Sequence, residues 1–178
     1  MIKNLLVTGP PGCGKTTLVR RVVQDLGDLP VAGFYTGEIR EQGDRAGFAL
    51  LGLDGRRGIL SHVRFPGPHR VGRYGVDITG FESFLAGLHA GYRGTRLVVI
   101  DEIGKMECLS LKFRETIRGC LDSPTPVLAT IALRGTGPIE KIKARPDIRL
   151  IAMTRENREE KFREVMDEVS RLIGEESG

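Results

Sequence analysis

The stretch GPPGCGKTT, Gly9–Thr17, follows a short apolar run, IKNLLVT at Ile2–Thr8, and leads into a segment of helical period. Gly9, Gly14, Lys15 and Thr16 fill every fixed position of G-x-x-x-x-G-K-[ST], and a strand before with a helix after is the context that motif requires. The physics is that of a nest of backbone N–H groups at a helix N-terminus, where partial positive charge and unpaired donors meet an anion. Glycine lets the chain curl that tightly. Lys15 reaches the outer phosphates, and the Thr16 hydroxyl is suited to Mg²⁺. Pro10 and Pro11 fix φ and remove two donors, so the phosphate-facing N–H groups are expected from about Gly12 onward, with Thr17 closing the loop. Cys13 occupies a variable position. A helix N-terminus lowers a thiol's pKa, but a small side chain filling space is the favoured reading.

The second chemical element is LVVIDEIGK, Leu97–Lys105. A buried strand ending in an acidic residue is what a magnesium–nucleotide site needs, because Asp101 then orders the metal's water shell beside Thr16. Many strands end in Asp, so the signal draws its weight from the loop at Gly9. Glu102 comes next. A carboxylate beside the metal ligand accepts a proton from a water aligned with the terminal phosphate, whereas a small-molecule kinase has its acceptor's hydroxyl or phosphate in that place. The pair therefore leans toward hydrolysis, with Glu102 and Lys15 as catalytic groups. Ile103 and Gly104 complete the strand end and are counted with the nucleotide site. Lys105 falls on the loop where open α/β sheets bind ligands; it reads as a catalytic cation for the transferring phosphoryl group or as a solvated lysine. Arg134 belongs to the same rim with less weight.

No N-K-x-D segment, the usual reader of guanine, occurs in the chain, so the base is expected to be selected otherwise or hardly at all. Asn157 and Arg158, in the stretch from Thr154, lie between the last strand and the last helix, a junction that can pass near the base. Thr154 also reads as a helix N-cap with Glu156 in the first turn, and the two roles are compatible.

A length of 178 residues suits one domain with a substantial core, assigned here to 1–178. Apolar residues at 40% and charged residues at 28% are ordinary for a soluble globular chain. No apolar run approaches the ~20 residues that span a bilayer, and the N-terminus opens into a strand without a cleavable signal pattern. A cytoplasmic protein with no membrane contact is expected. Cys13, Cys108 and Cys120 form no C-x-x-C pair and have no histidine at ligand spacing, which excludes a zinc motif and a disulfide framework. The net charge of +4 and pI near 9.1 come from scattered Arg and Lys. With aromatics at 6%, the pattern fits a basic surface around an anionic ligand better than a nucleic-acid groove. A monomer is expected.

Short apolar runs alternating with helical periods predict an α/β domain with a mainly parallel sheet flanked by helices. The strands read as Leu5–Gly9, Val31–Thr36, Leu97–Asp101, Pro126–Leu133 and Ile148–Met153, and the helices as Lys15–Leu26, Gly80–Ala90, Leu109–Leu121 and Arg155–Ile173. The segment 38–61 differs: two β-like runs joined by Asp54–Gly55 predict a small antiparallel hairpin insertion, with both turn residues tolerant of positive φ. The tail from Gly174 is expected to fray.

GPPGCGKTT, GFYTGEIR, RAGF, VGRYGVD, VIDEIGKME and TRENR, in this order and spanning nearly the whole chain, resemble the small nucleoside triphosphatases that include the vertebrate cancer-related enzyme and its archaeal and bacterial relatives. The loop is common to many proteins, while GFYTGEIR with DEIGKME is specific. The resemblance implies a RecA-like P-loop core and slow, Mg²⁺-dependent hydrolysis of ATP, GTP, CTP and UTP or TTP with weak base preference. It also implies that Gly9–Thr16 bind the phosphates while Asp101 and Glu102 serve metal and water. No chemistry follows from GFYTGEIR or VGRYGVD: Tyr35, Glu38, Arg40, Arg73 and Tyr74 either cover the site or hold the insertion. A nucleotide or small-molecule kinase is the alternative, and a nucleotide switch the third reading.

Overall fold

Near-continuous apolar runs become strands covered on both faces, and the first run shows how. In a computed structural model that describes residues 1–89, 94–135 and 137–175, β1 (Asn4–Gly9) is buried along its whole length. Leu5 and Val7 enter one core and Leu6 the other, as the two-residue period of a strand requires. The chain continues through α1 (Lys15–Asp25), β2 (Val31–Glu41), β3 (Asp44–Gly52), β4 (Arg57–His62), β5 (Arg70–Val71), β6 (Tyr74–Val76) and α2 (Ile78–His89). Then come β7 (Leu97–Ile103), a 3-10 turn (Glu107–Leu109), α3 (Leu111–Asp122), β8 (Val127–Ala132), α4 (Pro138–Lys143), β9 (Ile148–Ala152) and α5 (Arg158–Glu175). Among the described residues no helix is long and apolar enough to cross a membrane.

The nine strands form one sheet in the order β5-β6-β4-β3-β2-β7-β8-β1-β9. The strands β2, β7, β8, β1 and β9 are parallel, so their carboxyl ends share one edge. One face packs against α1 and α5 through Leu18, Val19, Val22, Phe162, Val165 and Val169. The other meets α2 and α3 around a phenylalanine cluster. Phe34 stands edge-on to Phe81, Phe84 and Phe113, with ring centroids 6.1, 5.7 and 6.5 Å away, the arrangement that ring quadrupoles favour.

The expected antiparallel hairpin is present but larger, and it extends the main sheet. Strand β2 runs on to Glu41, paired parallel to β7 through Tyr35 and antiparallel to β3 from Phe34 onward. One strand thus belongs to both halves. Strands β3 and β4 pair antiparallel across Asp54–Gly55 as expected, and a second tight turn, joining β2 to β3, lies at Gln42–Gly43 with φ of 51° and 89°, where a primed two-residue turn needs positive φ twice. At Asp54–Gly55 only Gly55 is left-handed; Asp54 instead accepts a hydrogen bond from the Arg56 N–H at 3.0 Å, an Asx turn.

Three helix starts move. The stretch from Leu109 divides because Ser110 caps α3, its hydroxyl accepting from the Phe113 N–H at 3.0 Å; Leu109 falls outside that helix and is 38% exposed. The last helix starts at Arg158, not Arg155, so Thr154 is not its cap. The second starts at Ile78, and its predicted end, Ala90, lies outside the described residues. Helix α5 continues to Glu175, and the rest of the tail lies outside the described residues. The strands β5 and β6 and the helix α4 carry periods too short to read from sequence.

Candidate active site

The loop between β1 and α1 meets the other carboxyl ends at the edge where open α/β sheets take ligands. Gly14 stands at φ 103°, immediately before the helix, with no side-chain cap and no acidic residue in the first turn. No acidic residue of the helix's own first turn therefore offsets the partial positive charge at its N-terminus. Within the loop the Cys13 N–H turns inward to the Pro10 carbonyl at 3.2 Å. The Cys13 side chain is buried in the core on the α1 and α5 face, as the space-filling reading expects. Pro10, Pro11, Gly12 and Thr17 are exposed. Lys15 Nζ donates to the Gly9 carbonyl at 3.0 Å and lies 3.5 Å from that of Pro10, which holds the ammonium against the loop.

Asp101 is fully buried at the end of β7, and both of its oxygens are held. Thr16 Oγ1 donates to Oδ2 at 2.8 Å and Thr130 Oγ1, from β8, donates to Oδ1 at 2.5 Å. Burial pushes this carboxyl up, and the threonine hydrogen bonds with the charges of Arg20 and Lys15 pull it back. A hydroxyl and a carboxylate in contact are hard oxygen donors of the kind Mg²⁺ takes. Among the described residues no group of three or more His, Cys, Asp or Glu could hold a metal, so a cation between Thr16 and Asp101 would draw its remaining ligands from phosphate and water.

Two residues of β7, Asp101 and Glu102, face one residue of β8, since Ile100 pairs with Ala129 and Ile103 with Ile131. Such a bulge re-aims side chains at a strand end. Glu102 is half-buried; burial raises its pKa, the Lys15 charge lowers it and the Asp101 charge raises it further. Ile103 and Gly104 are buried behind it, while Lys105 and Arg134 are exposed on the loops after β7 and β8. Arg155 Nε donates to the Gly12 carbonyl at 3.3 Å, and the Arg158 side chain passes beside Gly14. The Asn157 side chain is engaged with its own loop, Oδ1 accepting from the Thr154 N–H at 2.7 Å.

Four residues bear on this site without a chemical role read from the sequence, although Tyr35 and Glu107 lie within GFYTGEIR and VIDEIGKME. Thr130 is a lone hydroxyl inside an apolar run, which is its only signal. Glu107 is a buried carboxyl flanked by Met106 and Cys108. Arg20 stacks over the Tyr35 ring at 5.0 Å, and Tyr35 is the register partner of Asp101; burial pushes the Tyr35 hydroxyl up to about 12. By contrast Glu38, Arg40, Arg73 and Tyr74 hold the hairpin together. Glu38 pairs with Arg40 and Arg45, Arg73 donates to the Arg45 carbonyl and Tyr74 packs edge-on to Phe48.

A largely parallel sheet with a glycine-rich phosphate loop after its first strand and an acidic strand end clamped to that loop's threonine defines a P-loop NTPase. A model of the family described as NTPase matches residues 4–166, and the chain belongs to that family. Among its relatives, the nucleoside-triphosphatase THEP1 of Thermotoga sp. (strain RQ2) is 41% identical over 167 residues, covering 92% of this chain and 93% of the relative. The human cancer-related nucleoside-triphosphatase is 41% identical over 175 residues, covering 89% and 92%. The crystal structure of THEP1 from Aquifex aeolicus superposes with a TM-score of 0.84 at 36% identity, over 93% of this chain and 98% of that one. The solution structure of the human enzyme gives 0.79 at 38%, over 94% and 97%.

Proposed function

We propose that this protein hydrolyses nucleoside triphosphates to the diphosphate and phosphate, with Mg²⁺ and with weak preference for the base. The observation that carries the reading is the strand end of β7: Asp101 clamped to the loop's Thr16, with Glu102 next to it under the influence of Lys15. The loop N–H groups and Lys15 hold the β- and γ-phosphates, and Thr16 with Asp101 would hold the cation. The chemistry that Mg²⁺ would supply there is neutralisation of the charge on the β- and γ-phosphates. Glu102 takes a proton from the water, whose oxygen bonds to the γ-phosphorus as the bond to the β–γ bridging oxygen breaks. Lys105 adds positive charge at the same mouth, and Arg158 with Asn157 line the side toward the nucleoside.

The test is phosphate release from ATP and Mg²⁺ with no acceptor present. Glu102→Gln keeps the shape and removes the base, so turnover is expected to fall by roughly 10²–10⁴ while nucleotide affinity holds or rises slightly. Asp101→Asn is expected to weaken the Mg²⁺ dependence instead. Equal single-turnover rates for wild type and Glu102→Gln would falsify the assignment of the base.

A further inference from the structure

Glu107 is 5% exposed in the 3-10 turn beyond β7, and no step of the reaction above uses it. A buried carboxyl is costly unless it is hydrogen-bonded or neutral. Here the backbone N–H groups of Gly104 and of Glu107 itself reach it. Its place is tied to Glu102 through Gly104: a Cβ built on Gly104 would stand 2.8 Å from Glu107 Oε2 and 2.9 Å from Glu102 Oε1. Both carboxyl oxygens crowd the same small space beside one backbone carbon. Gly104 is not in the left-handed region, so the carboxyls, and not the backbone, exclude a side chain there.

We propose that Glu107 is a positioning residue for Glu102: its carboxyl group, packed beside Gly104, fixes where the Glu102 carboxylate stands when it receives the water's proton. This rests on the reading of Glu102 as the base. Burial first, and the Glu102 charge second, push Glu107 up to about 8, so near neutral pH it is a carboxylic acid with one O–H to donate. Turned toward Glu102 in the space they share beside Gly104, that O–H would make a charge-assisted hydrogen bond to the carboxylate. It restrains one oxygen of Glu102 and leaves the other for the water.

The charges acting on Glu107 are those of Glu102 and Asp101 from β7, both negative, so a proton is what relieves the cluster. The Cys108 thiol beside it is itself pushed up to about 11, and Arg114 of α3 acts on that thiol. Lys15 of α1 acts on Glu102 and Asp101.

Steady-state phosphate release in Glu107→Ala, Glu107→Gln, Glu102→Gln and the double variant Glu102→Gln/Glu107→Ala tests this, with melting curves as the control for folding. Glu107→Ala is expected to lower kcat at least about tenfold with KM changed by less than about threefold. Glu107→Gln keeps a neutral donor and is expected to recover kcat to within about threefold of wild type. In the Glu102→Gln background Glu107→Ala should cost nothing more, because the group it positions is gone. If Glu102→Gln is slow while Glu107→Ala turns over like wild type, or if the two losses multiply, the positioning role is overturned and the base assignment stands. If Glu102→Gln is as fast as wild type, the base assignment fails and takes this role with it. Should Glu107→Ala not fold, Gly104→Ala asks the same question with a methyl group: its kcat must fall while that of Glu107→Gln holds, and the reverse pattern overturns the proposal.

Discussion

A carboxyl such as Glu107 couples folding to pH as well as positioning a neighbour. In the folded chain it keeps its proton up to about pH 8, whereas an unfolded glutamate releases it near 4.5. Between those values the folded state binds more protons than the unfolded one, so stability falls as pH rises and levels off once the folded group ionises. Asp101 and Glu102, both raised by burial, act in the same direction. Melting temperatures of the nucleotide-free protein are therefore expected to decline from about pH 5 to about pH 8, and to decline less steeply in Glu107→Gln, which has no proton to lose. Parallel melting curves for the two proteins across that range would mean that Glu107 ionises as it does in water.

Among the elements, the start of α5 shows how a local signal can be read in the right place with the wrong residue. Thr154 followed by Glu156 looked like a cap, yet the helix begins three residues later and Asn157 closes the turn by accepting from the Thr154 N–H while its own carbonyl accepts from the Lys161 N–H at 2.9 Å. Asn157→Ala removes this turn hydrogen bond and is expected to cost about 1 kcal/mol, a fall in Tm of roughly 2–4 °C for a chain of this size; an unchanged Tm would mean that the turn does not depend on it.

The same contrast runs through the fold. The phosphate loop, the β7 strand end and the last helix were legible because each rests on local spacing or a long apolar period. The clamp from Thr130, the shared strand β2 and the crowding at Gly104 were not, because each depends on which distant strands meet. Gln42–Gly43 escaped notice because Gln is an uncommon residue at positive φ, and the sheet's pairing tolerates it there.

In the whole molecule the loop after β1, the β7 strand end and the segment after β9 gather at one edge of the parallel half, and in the proposed reaction nearly all of their contacts go to phosphate. The segment after β9 reaches the loop through the Arg155 contact to the Gly12 carbonyl, and the chain has no guanine-reading motif. Values of kcat/KM for ATP, GTP, CTP and UTP are therefore expected to agree within about one order of magnitude, ~1.4 kcal/mol. A thousandfold preference measured for one base would refute this and point to residues 154–158.

The place of β1 in the sheet has a further consequence. Its two neighbours are β8 and β9, and the contact from Asn4 to Val127 spans 123 positions. A ribosome delivers β1 first and its partners last. The β2–β3–β4 meander, built from close neighbours in sequence, can pair while the nascent chain is still growing, whereas the first strand must wait, apolar and unpaired, until the tunnel has released the eighth and ninth. Completion of the phosphate loop's seat in the sheet is thus a late event in folding, because it waits for strands far along the chain.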